Sequence, residues 1–276
     1  MQITNENTSY GGRQLVAIHD SNTCNCEMKF SVFLPPQTQT KPCPVLYYLS
    51  GLTCSHANVT EKGEFRRAAA EHGIIIVCPD TSPRGDGVAD EDVYFFGKGA
   101  GFYVDSSQEP FANNYNMYSY VTKELPALIA KEFNADMSRQ SITGHSMGGH
   151  GAMICALKNS NTYKSVSAFA PICAPSKTDW GKNAFNKYLG SDETTWRTYD
   201  TVSLIEDGYK FPEVLVDQGT SDEFLETGIR VNLLEAICKD NNIELILRMH
   251  EGYDHSYYFI SSFMADHIAW HAKRLG

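Results

Sequence analysis

The residues best suited to chemistry in this chain form a Gly-x-Ser-x-Gly sequence at residues 144–148, centred on Ser146. A strand-like run precedes the serine. From about Met147 to Leu157 the chain is apolar nearly all round, as in a buried helix. Glycines two positions before and after the serine let the backbone turn sharply and let the strand and helix pack closely. We therefore predict that Ser146 stands at the upper edge of a sheet and acts as a nucleophile.

A serine hydroxyl is a poor nucleophile near pH 7 and needs a histidine to take its proton. Where this motif joins a strand to a helix, the partners follow in the order serine, acid, histidine. The histidine should then lie after the last strand, where His250 and His255 are both candidates. His250 comes directly off the strand, whereas His255 lies in a loop before the terminal helix. We predict that His255 is the base.

The acid should follow the preceding strand, where Asp217 and Asp222 compete. Asp222 lies deeper in the loop, which gives it freedom to reach a histidine that arrives from the next loop. Asp217 is still nearly within the strand, where a carboxylate would brace the loop. We predict that Asp222 orients the histidine and stabilises its charged form.

Four other histidines receive structural interpretations. His145 and His150 flank the serine, but a neighbour on a tight turn usually points elsewhere, so packing or support of the site is expected. His267 and His271 are spaced i, i+4 on the last predicted helix. No carboxylate partner or third ligand is evident for them, so we expect a solvated helix face and no metal.

The reaction of a serine nucleophile develops an oxyanion, which requires preorganised backbone donors. The amide of Met147, directly after the serine, is one predicted donor. The second should come from the loop after the strand that ends at Leu49, and we assign it to the amide of Leu52.

These residues must be positioned by a sheet with helices on both faces. Strands and helices alternate after Pro44, which is typical of a mostly parallel sheet whose active site lies beyond the carboxyl ends of the strands. Two earlier strands are predicted to be antiparallel strands at the sheet edge, and residues 81–114 form an unusually long connection. The predicted strands cover residues 14–20, 27–35, 44–51, 73–80, 165–171, 213–219 and 243–249 and the run before Ser146; the predicted helices cover residues 60–72, 114–133, 147–157, 224–240 and 256–273.

Composition narrows the possible partners. A net charge of −10 argues against nucleic acid and anionic membranes, which require clustered Lys and Arg. No apolar leader or membrane-spanning run is visible, and the eight scattered cysteines form no Cys-x-x-Cys pair. We expect one α/β domain over residues 1–276, located in the cytoplasm, with free thiols.

Several segments together resemble the S-formylglutathione hydrolase (esterase D) family over essentially the whole chain. They are residues 50–54 (Ser-Gly-Leu-Thr-Cys), 79–85, 99–105, 144–152, 165–173, 217–219 and 251–259. The resemblance implies an α/β-hydrolase fold and no cofactor. It also implies hydrolysis of S-formylglutathione to formate and glutathione, a late step in formaldehyde detoxification, and side activity on short acyl esters. It supports Ser146, Asp222 and His255 as a catalytic triad and suggests a homodimer.

The resemblance also suggests a substrate pocket, in which we place Cys54, His145, Trp180 and Phe185. The sequence departs from the family after Cys54 and across residues 86–96, near the presumed entrance. These differences leave undetermined which thiol the substrate carries, but they do not affect the expected hydrolytic reaction. The alternative function is a short-chain carboxylesterase with an unrelated physiological ester. An acyltransferase and a catalytically inactive binding protein are further possibilities.

Overall fold

Nine strands form one continuous sheet in a computed structural model that describes residues 1–276. The spatial order is β1-β2-β3-β5-β4-β6-β7-β8-β9. The strands are β1 (Gln2–Ser9), β2 (Gly12–Ser21), β3 (Cys26–Leu34), β4 (Cys43–Leu49), β5 (Ile75–Pro79), β6 (Ala135–His145), β7 (Tyr163–Phe169), β8 (Glu213–Gly219) and β9 (Glu244–His250).

The sheet is antiparallel at its N-terminal side and parallel elsewhere. Strands β1, β2 and β3 pair antiparallel, β3 pairs antiparallel with β5, and every remaining pair is parallel. The predicted mixture is confirmed. The predicted strands over 14–20 and 27–35 are not at the edge, however, because β1 lies outside them. Nearly all side chains of β1 are exposed, so no apolar alternation marks it in the sequence.

Ten helices accompany the sheet. They are α1 (His56–Lys62), α2 (Arg66–His72), α3 (Met117–Ser119), α4 (Leu125–Glu132), α5 (Met147–Lys158), α6 (Asp179–Leu189), α7 (Glu193–Trp196), α8 (Thr201–Glu206), α9 (Val231–Asp240) and α10 (Tyr257–Leu275). Short 3₁₀ helices occur at Pro36–Gln39, Pro175–Lys177 and Arg197–Tyr199, and π-helical turns at Tyr120–Glu124 and Leu225–Ile229.

Two of the predicted helices are interrupted. The helix predicted over 60–72 is split into α1 and α2, because Gly63 ends α1 and Glu64 adopts a left-handed φ of 53°. In the helix predicted over 114–133, the π turn directly precedes Pro126 in α4. Proline lacks an amide hydrogen and its ring crowds the carbonyl four residues earlier, at Thr122, which accounts for the wider turn.

Both faces of the sheet are covered. Ser165 and Ser167 of β7 hydrogen-bond to His271 of α10, whereas Ala168 of the same strand lies against Gly149 of α5. Successive residues of a strand point to opposite faces, so α10 and α5 lie on opposite sides. None of the helices is long and apolar enough to cross a membrane.

The solvated face predicted for His267 and His271 is wrong, since both side chains are fully buried under α10. His267 Nδ1 lies 2.8 Å from Ser167 Oγ. The two nitrogens of His271 lie 2.7 and 2.8 Å from the hydroxyls of Ser165 and Ser167. A polar layer on the sheet thus supplies the partners that burial of an imidazole requires.

Candidate active site

The turn at Ser146 is built by close contact between backbones. Strand β6 ends at His145 and α5 begins at Met147, leaving Ser146 between them with a φ of 57° and a ψ of −119°. A Cβ at Gly148 would lie 2.0 Å from the carbonyl oxygen of Leu49, and one at Gly144 would lie 2.2 Å from that of Gly148. Neither glycine therefore accepts a side chain, and the serine is held in a strained conformation rare outside functional sites.

Ser146 opens into a cavity of about 270 Å³ at the carboxyl ends of the parallel strands. His255 lines the same cavity, so the structure brings the predicted nucleophile and the predicted base together. Apolar and aromatic side chains form most of the remaining wall: Leu52, Cys54, Tyr94, Trp180, Phe224 and Tyr257. Such a lining, with few polar groups, is typical of a small-molecule site.

Asp222 is fixed against His255. One carboxylate oxygen of Asp222 lies 2.6 Å from His255 Nδ1 and accepts a hydrogen bond of 3.0 Å from Gln218 Nε2. The other accepts from the amide of Phe224 at 2.8 Å. Burial raises the pKa of the Asp222 carboxyl, but these hydrogen bonds outweigh that effect and leave its pKa below the ordinary aspartate value. The carboxylate is therefore charged at neutral pH and orients the imidazole.

The bond from Asp222 leaves Nε2 as the ring nitrogen of His255 available to the serine. Ser146 Oγ and His255 are not hydrogen-bonded to each other in this arrangement, although both line the cavity. Catalytic hydrogen bonds are often long in ligand-free enzymes and shorten when substrate binds. The arrangement is therefore compatible with proton transfer from serine to histidine.

The competing candidates, Asp217 and His250, belong to a different cluster. Asp217 is fully buried and receives two hydrogen bonds from Arg248, at 2.5 and 2.7 Å. His250 and His267 also approach it, at 3.1 and 3.4 Å. Burial raises the pKa of Asp217, but His267 and Arg248 outweigh it and lower the pKa to about 2. This carboxylate ties β8 to β9 and α10.

We expect Asp217→Asn to lower the free energy of unfolding by about 3 kcal/mol, since it leaves the partly buried Arg248 without its buried anion. The pKa of Asp217 is lower in the folded chain than the value of ~3.9 expected when unfolded, so its contribution is complete above pH ~4. It is lost as the pH falls towards about 2. Urea unfolding of both proteins between pH 7 and pH 2.5 measures this difference.

Asp266→Asn is the matched control, because Asp266 also contacts Arg248, at 3.2 Å, but is 61% exposed. We expect it to change stability by less than about 0.5 kcal/mol. Equal effects of the two substitutions, or a difference independent of pH, would contradict a structural role for the Asp217 carboxylate.

The two predicted oxyanion donors flank the serine. Met147 is the first residue of α5, so its amide has no acceptor within the helix. The amide of Leu52 donates no hydrogen bond within the protein. The loop that carries Leu52 is held at both ends. Tyr103 Oη donates to the carbonyl oxygen of Ser50 at 2.9 Å, and the amide of Thr53 donates to the carbonyl oxygen of Gly99 at 2.9 Å. Two free amides thus lie beside Ser146.

His145 packs directly on His255. Its ring centroid lies 4.4 Å from that of His255, it is 6% exposed, and neither ring nitrogen has a hydrogen-bond partner. Burial lowers the pKa of His145 well below its ordinary value, so the ring is neutral and does not compete for the proton of the serine. His150, in contrast, is buried away from the cavity, where it contacts the carbonyl of Phe102 at 3.0 Å.

Three of the four predicted pocket residues, Cys54, His145 and Trp180, line the cavity. Phe185 does not. It is fully buried and packs against Phe102, His150 and Trp196. Burial also raises the pKa of the Cys54 thiol. No group of three or more His, Cys, Asp or Glu side chains is arranged to hold a metal ion.

Sequence reasoning missed Phe224, Tyr257 and Tyr94. Phe224 makes edge contacts with both His255 and Trp180, each at 5.1 Å between ring centroids. Its position two residues after Asp222 was a usable signal, because aspartate side chains often accept from the amide two residues on. Tyr94 had no such signal, since it lies within the long connection over residues 81–114.

Comparison with known proteins shows the family of this chain. The Putative esterase family matches residues 21–270. S-formylglutathione hydrolase of Bos taurus is 53% identical over 270 residues, which cover 96% of this chain and 95% of that protein, and the Mus musculus enzyme is 51% identical over 98% and 96%. The solved structure of an S-formylglutathione hydrolase from Agrobacterium tumefaciens is 61% identical, with a TM-score of 0.99 and full coverage of both chains. This chain belongs to the S-formylglutathione hydrolase family of α/β esterases.

Proposed function

We propose that this protein hydrolyses S-formylglutathione to formate and glutathione, as a step in formaldehyde detoxification, with Ser146, His255 and Asp222 as its catalytic triad. The observation that carries the proposal is the shared cavity of Ser146 and His255, with Asp222 bonded to His255 at 2.6 Å. We assign the substrate from the relatives that are 51 to 61% identical to this chain, because their names state it.

In the proposed first half-reaction, Ser146 Oγ attacks the formyl carbon while His255 Nε2 takes the hydroxyl proton. The carbonyl oxygen becomes an oxyanion, which the amides of Leu52 and Met147 stabilise. The carbon–sulfur bond then breaks, and glutathione leaves as it takes the proton from His255. Asp222 stabilises the charged imidazole throughout.

In the second half-reaction, water attacks the formyl ester on Ser146 and gives a proton to His255. The ester bond breaks, His255 returns the proton to the serine oxygen, and formic acid leaves and releases its own proton to solvent as it becomes formate. Trp180, Phe224 and Tyr257 line the cavity, and we assign them to the acyl side, where such bulky side chains would admit only small groups. A formyl group, the smallest acyl group, fits this restriction.

The specificity constant kcat/KM tests the proposal when it is measured for three substrates: S-formylglutathione, an aryl acetate, and the matched formamide in which nitrogen replaces sulfur. A thiol has a pKa of about 8.5 and leaves with little proton donation. The amide requires full protonation by His255, so we expect it to react at least about 10³-fold more slowly. Comparable rates for thioester and amide would contradict the mechanism, and an aryl acetate preferred to the thioester would favour a general carboxylesterase.

The proposal also covers the setting of the enzyme. One sheet and one hydrophobic core support a single domain over residues 1–276. All eight cysteines are free, most of them buried, which supports a reducing compartment such as the cytoplasm. A homodimer rests on the family resemblance alone.

A further inference from the structure

A second and larger cavity opens beside the active site. It has a volume of about 460 Å³, and Met28 is the only apolar side chain among its ten lining residues. Its lining is therefore polar, whereas the lining of the cavity around Ser146 is mostly apolar and aromatic. We call it the polar cleft and define it by Glu27, Lys29, His56, Asp80 and Arg84.

The polar cleft and the catalytic cavity share a wall. Thr53, which directly follows the predicted oxyanion donor Leu52, lines both. Arg84 Nη2 donates to the carbonyl of Cys54 at 2.8 Å, so a residue of the cleft also holds the loop that borders Ser146. The two cavities are thus adjacent, with Thr53 between them.

The distance between the two sites suits a short peptide. The cleft lies where β3 begins and β5 ends, on the same rim of the sheet as the end of β6. In the order β3-β5-β4-β6, Lys29 is three strand spacings from Ser146, roughly 14 Å, and Asp80 is two, roughly 10 Å. The sulfur of glutathione belongs to its central residue, so one extended arm of the peptide, roughly 7–10 Å long, and the Lys29 side chain together cover this distance.

The charges of the cleft are only partly used within the protein. Asp80 and Arg84 form an ion pair, with Arg84 Nε 2.9 and 3.0 Å from the two carboxylate oxygens. Lys29 and Glu27 make no side-chain ion pair or hydrogen bond, and they project from the same side of β3. His56 Nδ1 is buried without a hydrogen-bond partner. The cleft therefore offers one free ammonium and one free carboxylate beside a guanidinium.

We propose that the polar cleft binds the peptide part of the thiol leaving group, an inference that rests on the proposed function. Glutathione carries two carboxylates and one ammonium group, which complement Lys29 and Arg84 on one side and Glu27 on the other. With two acidic and two basic side chains the cleft is formally neutral, so it does not repel an anionic thioester as the chain's overall charge of −10 would.

Binding in the cleft acts on the substrate before and during reaction alike, because these charges do not change at the formyl carbon. Such uniform binding lowers KM and leaves kcat unchanged. The cleft should therefore matter only for substrates whose leaving group carries the peptide charges.

The test compares S-formylglutathione with the S-formyl thioester of N-acetylcysteamine, which has the same reacting bond and no charge. We expect Lys29→Met to raise KM for S-formylglutathione roughly tenfold at unchanged kcat, and Lys29→Glu to raise it further. The inhibition constant of free glutathione should rise by a similar factor. Both variants should cleave the uncharged thioester like wild type, and Lys131→Met, at a lysine that is 79% exposed on α4, should resemble wild type on both substrates.

The outcomes separate the two proposals. If wild type prefers S-formylglutathione and the Lys29 variants keep that preference, the cleft is not the subsite and the proposed function stands. Equal loss on both substrates also overturns the subsite, since it shows an effect on the chemistry. If wild type shows no preference between the thioesters, the proposed function fails and the subsite with it.

Discussion

Replacing Ser146 with alanine is expected to lower kcat for thioester and ester hydrolysis by roughly 10⁵- to 10⁶-fold, the scale of losing the nucleophile of a serine hydrolase. We expect this loss because Ser146 carries the only hydroxyl at the turn between β6 and α5, and its side chain lines the cavity that it shares with His255. Single-turnover measurements on an activated aryl ester would detect the remaining rate. Ser138→Ala, at an exposed serine near the start of β6, is the matched control and should retain full activity.

The same position separates catalysis from stability. Ser146 has a φ of 57°, a value that glycine adopts freely and alanine does not. Ser146→Gly should therefore be as inactive as Ser146→Ala but more stable than it by about 1 kcal/mol. Thermal unfolding of the two variants gives the comparison. If both variants kept an activity close to that of wild type, Ser146 would not be the nucleophile.

The second large effect is expected for Asp222→Asn, which should lower kcat by roughly 10³- to 10⁴-fold with little change in KM. An asparagine can present its amide hydrogens to His255 Nδ1 and so stabilise the tautomer that cannot accept a proton from Ser146. The charged imidazole also loses its counterion. Steady-state kinetics at pH 7 to 8 measure the loss.

Asp217→Asn is the control for this prediction, because Asp217 was the competing acid and lies in a separate cluster. Per folded molecule it should keep kcat within about threefold of wild type while it loses stability. If Asp217→Asn were the less active of the two variants at a temperature where both are folded, Asp217 and not Asp222 would be the acid of the triad.

The sequence was most informative where backbone chemistry restricts the choice of residue. The roles of Gly144 and Gly148 could be predicted from the sequence, because only glycine fits where the backbone lies against Leu49 and α5. The turn between these two glycines fixes Ser146 at the edge of the sheet. The order serine, acid, histidine then limited each partner to one loop. Within each loop, reach decided between Asp217 and Asp222 and between His250 and His255, and the structure bonds the favoured pair to each other.

Failures occurred where residue type alone suggested the wrong environment. His267 and His271 looked solvated, yet small hydroxyl side chains on the strand below satisfy them. Phe185 follows Trp180 by five positions on α6, which is about 140° around a helix, so the two cannot face one cavity. The polar cleft was beyond sequence reasoning, because its charges come from distant segments that meet only where antiparallel β3 begins beside the end of β5.

The outermost strand, Gln2–Ser9, leaves one row of backbone donors and acceptors without a neighbouring strand. Such a border invites another sheet to add to it, which leads to fibres and precipitates. Here Asn, Thr and Glu side chains cover the border, and its pairing shifts between Ile3 and Asn5. Both features oppose the addition of a further strand at this edge, so we expect little tendency of the protein to polymerise through β1.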